Sequence, residues 1–331
     1  LVLQDRVFDA NNQLVYFPGT MTGFLGDTIL VNGQPNFTLP VAQEHYRLRL
    51  WNGSNSRIYK LAWTDNTPLT VIATDGGLLS APVLRDYVTL APGERVELLV
   101  DFRAWPPGTS LVMVSLAFSG SSPGITGTLP DGSEFPVMTF QVSDMRHKVY
   151  LPLVFGEGSQ GLPVIYSAAH LSTLEKYRPS NAVNAGEPRR FYLYRQHMDW
   201  TINGRVFEME GVAPDEIVQL DTQEIWEFTN ASQHGMGMGQ MAHPIHIHGL
   251  QFQVLSRQPP TDPTQRANWQ TVKDGYVDDG WKDTILLMPG ERVQIQLAFN
   301  DHTGLVLYHC HNLEHEDMGM MRNFQVQASN Q

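Results

Sequence analysis

The sequence predicts an all-β protein: two Greek-key β-sandwich domains joined by a long linker. Three observations lead there. Short Val/Ile/Leu/Tyr runs are broken by Gly, Pro and Asn at regular spacing, the pattern of strands and tight turns in a sandwich. Three segments recur, in the same order, further along the chain. The apolar fraction of 42%, with 7 Trp and 15 Phe in 331 residues, is enough for two sizeable cores.

The repeat carries most weight. Leu30-Val31-Asn32-Gly33-Gln34 is echoed by Thr201-Ile202-Asn203-Gly204-Arg205, and Leu50-Trp51-Asn52-Gly53-Ser54 by Phe228-Thr229-Asn230-Ala231-Ser232. Leu90-Ala91-Pro92-Gly93-Glu94-Arg95-Val96 is echoed by Leu287-Met288-Pro289-Gly290-Glu291-Arg292-Val293. The echoes follow at 171, 178 and 197 positions, so the second copy holds extra residues. Either Asn pair alone could arise by chance. The seven-residue pair, with ordered offsets, could not.

Taken in order, residues 1–144 form the first domain, which opens directly in an apolar strand-like run, Leu1 to Val7. That opening suggests the middle of something longer. Residues 145–188 are rich in Pro, Gly, Ser and Ala and read as a linker. It carries one short helix, Ala168 to Tyr177, ended by Pro179. Residues 189–331 form the second domain. The segment Gly304 to His311 lies close to the counterpart of Ser110 to Ala117, where the first copy has Ser, Leu and Ala, so the first domain reads as a metal-free spacer.

Charge and composition exclude other classes. A net charge of −12 argues against nucleic acid or an anionic membrane surface as partner, and no window is long and apolar enough to span a bilayer. A single Cys makes no intrachain disulfide and does not report the compartment.

That Cys stands in the decisive motif. His309-Cys310-His311 is followed by His315 and Met320, and His243-Pro244-Ile245-His246-Ile247-His248-Gly249 precedes it. A lone Cys is ordinarily a buried small hydrophobe, and a lone His an ordinary polar residue. Here half of the 12 His fall in two short windows around the only Cys. A thiolate, imidazoles and a weak thioether suit a blue-copper site. On an extended strand, His309 and His311 face away from Cys310, so one backbone can serve two metal sites.

With His-Pro-x-His-x-His-Gly and His-Cys-His-x3-His-x4-Met in a cupredoxin-like repeat, the whole chain resembles the second and third domains of a three-domain bacterial multicopper oxidase. The branch it resembles includes laccases and cuprous oxidases. The resemblance implies a type 1 copper on His243, Cys310, His315 and Met320. It gives His246, His248, His309 and His311 to a trinuclear type 2/type 3 cluster, four coppers in a complete enzyme. It further implies single electrons taken from a reducing substrate at the exposed edge of His243. They pass along Cys310 and its flanking His to the cluster, where dioxygen is reduced to water. Met320 should hold the potential below that of relatives with a non-coordinating residue there. Such a cluster takes eight His, and no His-x-His pair exists outside these two motifs. A further N-terminal cupredoxin domain, as a separate chain or removed segment, is the implied partner. A periplasmic or secreted location is likewise expected from the resemblance.

Glu316 matches a family proton-relay carboxylate, with a solvated acidic patch from Glu314 to Asp317 as the alternative. Asp283 is a candidate for orienting a ligand His. Met236, Met238 and Met241 precede His243 in a Gly/Met loop. They could bind Cu(I) or form a hydrophobic rim for phenols. Phenols are preferred, because Gly239 stands where cuprous oxidases carry an Asp. Cuprous oxidation and a type 1 electron-transfer protein are the alternatives. The second of these leaves the four paired His unused.

Overall fold

The computed structural model describes residues 1–17, 22–121, 129–144, 177–231 and 241–328. The expected linker helix, apart from Tyr177, lies outside the described residues, as do Met236 and Met238.

Two sandwiches follow one another. In the first, the larger sheet runs Gln34–Pro35, Thr28–Val31, Val2–Phe8, His45–Asn52, Arg95–Asp101, Leu69–Thr74, Gly77–Arg85, with Leu14–Val15 added beside Val2–Phe8. Its partner sheet runs Val88–Leu90, Tyr59–Trp63, Ser110–Ser115, Phe135–Ser143, Thr38–Ala42. Alternate residues of both sheets, among them Leu48, Leu50, Leu98, Tyr59, Met113 and Phe140, meet in one core.

The second sandwich repeats this plan. One sheet runs Asp199–Ile202, Arg189–Gln196, Thr222–Asn230, Arg292–Phe299, Phe252–Gln258. The other runs Ile217–Gln219, Met321–Gln327, Gly304–Cys310, His243–Ile247, Thr284–Leu287. Even the exceptional parallel pairings recur: Val2–Phe8 beside His45–Asn52 matches Arg189–Gln196 beside Thr222–Asn230. Phe135–Ser143 beside Thr38–Ala42 matches Met321–Gln327 beside Ile217–Gln219.

Each sequence echo has a physical reason. Asn32-Gly33 and Asn203-Gly204 both take left-handed φ (50° and 79°; 55° and 73°), as a two-residue hairpin turn of the primed type requires. The second and third echoes bond to each other. The N–H of Gly93 donates to the carbonyl of Asn52 at 3.0 Å, and that of Gly290 to Asn230 at 3.0 Å. Glu94 and Glu291 each accept from the backbone N–H three residues earlier, both at 2.8 Å. Glu closes the turn, Gly takes its left-handed φ, and the Asn side chain ties it to the neighbouring strand by donating to the carbonyl of Leu90 or Leu287. The extra residues of the second copy include the helix Pro263–Gln270, capped by the Asp262 carboxylate.

Candidate metal centre

Strand alternation sorts the two motifs onto opposite faces of one sheet. Gly304–Cys310 pairs with His243–Ile247 in a register that sets Cys310 opposite Ile245 and His309 opposite His246. Tyr308 and Cys310 face the core together with Ile245 and Ile247. His309, His246 and His248 therefore take the other face. His243 shares the inward parity and comes beside Cys310.

His315 arrives by a different route. After the strand, Asn312 caps a short helix, Leu313–Asp317, its side chain accepting from the N–H of His315. That turn folds His315 back over Cys310. The Cys310 Sγ lies 3.5 Å from Nδ1 of His243 and 3.7 Å from Nδ1 of His315, and the two Nδ1 atoms are 3.2 Å apart. Donors on one four-coordinate ion, with metal–nitrogen bonds near 2.0–2.1 Å and metal–sulfur near 2.3 Å, stand about 3.3–3.8 Å apart. The three atoms fit one ion.

Their electrostatics agree. Burial pushes the His243 imidazole down to about 3, and burial followed by its neighbour His243 holds His315 well below the usual range. Both rings are neutral and carry lone pairs. Burial pushes the Cys310 thiol up, so it needs a compensating cation to ionise. Met320 is buried in the same core and tied by backbone to both ligating segments: its carbonyl accepts from Cys310 N–H and its N–H donates to His315, each at 2.9 Å.

Trp200, unnoticed in the sequence, packs on this site, with ring centroids 4.9 Å from His243 and 4.3 Å from His315. The expected exposed edge of His243 is not present. The residue is 1% exposed, because its inward parity sets it under Trp200. Met241 is also buried, at 3%, in the core that holds Cys310 and Met320. Its burial runs against the expectation of a substrate contact. The carbonyl of Met241 accepts from the Asn230 side chain, which draws this end of the loop inward.

On the opposite face, His246, His248 and His309 bring one ring nitrogen each within 4.8 Å of one another. Nε2 of His248 and of His309 face each other at 3.0 Å. Two such atoms share either a proton or an ion. His311 stands beside them, its ring centroid 5.8 Å from His309 and 5.9 Å from His246, with Nδ1 buried and unpartnered. Glu316 Oε2 lies 3.2 Å from Nδ1 of His309. Burial raises the Glu316 pKa, but the hydrogen bond to His309 and the charges of His309, His311 and His248 together outweigh it and hold the carboxyl below its ordinary value. Asp283 is placed as expected of an orienting group: its carbonyl is 2.9 Å, and its Oδ1 3.4 Å, from Nδ1 of His246. A cavity of about 630 Å³ opens here, lined by His246, His248, Asp283, Trp281 and His302 among others.

Glu314 is no part of a solvated acidic patch. It is buried, and accepts from Tyr16 Oη, Phe24 N, Asn55 Nδ2 and Ser56 Oγ, at 2.7–3.0 Å. All four donors belong to the first sandwich. No local sequence signal marks them.

Two multicopper oxidase family models match the chain, over residues 9–129 and 182–330. The chain belongs to the multicopper oxidase family. It is similar to a multicopper oxidase of Staphylococcus haemolyticus (30% identity, 98% of this chain, 58% of the relative) and to a bilirubin oxidase of Albifimbria verrucaria (32%, 98%, 52%). It is also similar to the solved McoA multicopper oxidase of the hyperthermophile Aquifex aeolicus, with TM-score 0.77 and 33% identity over 99% of this chain and 65% of that one. This multicopper oxidase chain thus spans about half to two thirds of the length of these relatives. Family membership implies copper, and the buried Cys/His set and the facing His nitrogens suit it.

Proposed function

We propose that the chain carries the substrate-oxidising type 1 site and half of the dioxygen-reducing cluster of a laccase-like oxidase. One observation carries the reading: Cys310 and His309 are bonded neighbours that point into two separate ligand sets. Bound copper would supply one-electron chemistry at the first set and dioxygen reduction at the second. His243, Cys310, His315 and Met320 would hold the first ion in a buried pocket, and His246, His248, His309 and His311 would offer four ligands to the second. The peptide link from Cys310 to its flanking His is the covalent path between them. Glu316, against His309, supplies protons.

Four His leave a trinuclear cluster incomplete, and the cavity beside His246 and His248 leaves room for a partner. We therefore read a third cupredoxin domain as completing it, beside sandwiches divided at residues 1–144 and 189–331 by a linker. Phenols are the preferred substrate class. The burial of Met241 removes one thioether from any Cu(I) site, and a bilirubin oxidase and laccases stand among the relatives. The test is oxygen consumption by the chain together with the N-terminal domain of a relative, with a phenol against Cu(I) as reductant. Oxidation of Cu(I) alone would reverse the substrate assignment.

A further inference from the structure

The repeated turn serves different ends in the two sandwiches. In the second, Gly290 faces Gln265 and Pro260, and Arg292 lies half exposed, 3.7 Å from Glu227. In the first, Gly93 faces the ring of His311. A Cβ there would come within 2.5 Å of it, and φ is +84°, so a glycine lets the turn touch the imidazole.

Two residues on, Arg95 reaches Asp283 across the boundary between sandwiches. Its Nη1 and Nη2 bind Oδ1 and Oδ2 at 2.7 and 2.6 Å, a two-pronged pairing. Arg95 is itself braced: its N–H donates to Asp75 Oδ1 at 2.7 Å, and its guanidinium donates to the carbonyls of Gly93 and Asp75. Asp75 and Glu94 share the buried Lys282 ammonium, 3.1 Å from each. Three carboxylates and two cations thus interlock around Arg95.

The consequence reaches His246. Thr284 Oγ1 donates to Asp283 Oδ1 at 2.8 Å, which leaves its lone pair toward Nδ1 of His246 at 3.0 Å. The Asp283 carbonyl at 2.9 Å can only accept. Every neighbour of Nδ1 is thus an acceptor, so Nδ1 carries the proton and Nε2 keeps a lone pair.

We propose that Arg95, on the metal-free sandwich, is a positioning residue for the histidine cluster: by anchoring Asp283, whose carbonyl and carboxylate both face Nδ1, it fixes the His246 tautomer and ring. The Nε2 lone pair is then presented toward His248 and His309. The inference rests on reading the cluster as a metal site, but its primary test does not. In the full metal-free chain, long-range proton–nitrogen NMR of histidine should show one Nδ1–H tautomer at His246. Arg95→Met should replace it with a mixture. Asp283→Asn, which removes the carboxylate while keeping its size, should do the same. Arg95→Lys, which keeps the charge but not the fork, should restore most of the signal. Cu(II) affinity of the cluster should fall about tenfold in Arg95→Met. A single Nδ1–H tautomer persisting in both of the first two variants overturns the proposal. Loss of that tautomer in a chain whose cluster binds no Cu(II) even as wild type supports the positioning and sinks only the metal reading.

Discussion

The Sγ of Cys310 lies 3.5 Å from Nδ1 of His243, across 67 residues of chain and inside a core that excludes water from both. Burial pushes the thiol up and the imidazole down, so the imidazole keeps its lone pair and the thiol ionises only beside a cation. Cys310→Ser should therefore abolish the intense thiolate-to-copper absorption. The fold should survive, at a cost on the order of 1–3 kcal/mol for a buried hydroxyl. Visible and circular dichroism spectra check both halves, and a variant that keeps its colour would refute the ligand assignment.

Residues 1–331 alone should bind copper at the Cys310 site without reducing dioxygen, because the cluster holds four His. Copper analysis with an oxygen electrode measures this. Sustained oxygen uptake by the pure chain would end the idea of a completing domain.

Glu316 stands 3.2 Å from His309. In the completed oxidase, Glu316→Gln should slow turnover by roughly 10²–10⁴-fold, the usual worth of a positioned acid–base group. One-electron reduction of the Cys310 site by a phenol, followed by stopped flow, should be unchanged. If that step slows equally, Glu316 is not a proton relay.

Glu314 joins the sandwiches through four hydrogen bonds. Glu314→Ala strands those donors and should destabilise the chain by about 2–4 kcal/mol, since buried unmet groups cost more than a bond gains. Denaturant unfolding reports the loss. A change within error would mean that water replaces the carboxylate at no cost.

Met236→Ala with Met238→Ala should leave phenol turnover within about twofold and change Cu(I) oxidation as little, if the loop is a hydrophobic rim made of adaptable side chains. Selective loss of Cu(I) oxidation would show that these sulfurs receive the ion. Met241→Ala is a different experiment, because it cuts a buried side chain and should cost about 2–4 kcal/mol of stability.

The sequence by itself determined the strand alternation, the three repeated turns and the two ligand sets, because each depends on spacing along a few residues. His309 and Cys310 must part on a strand, and Pro-Gly-Glu must close a turn wherever it meets the right Asn. What lay between the sandwiches was decided only by tertiary structure. Arg95 meets Asp283, Glu314 meets Ser56, and Trp200 covers His243 and His315 because two sheets and two sandwiches fold against each other. Those contacts join residues 188 and 258 positions apart or further fix burial, and no local pattern encodes either. The same cause corrects two expectations: the resemblance implies an exposed edge for His243 and a substrate contact for Met241, yet parity and packing turn both into the core.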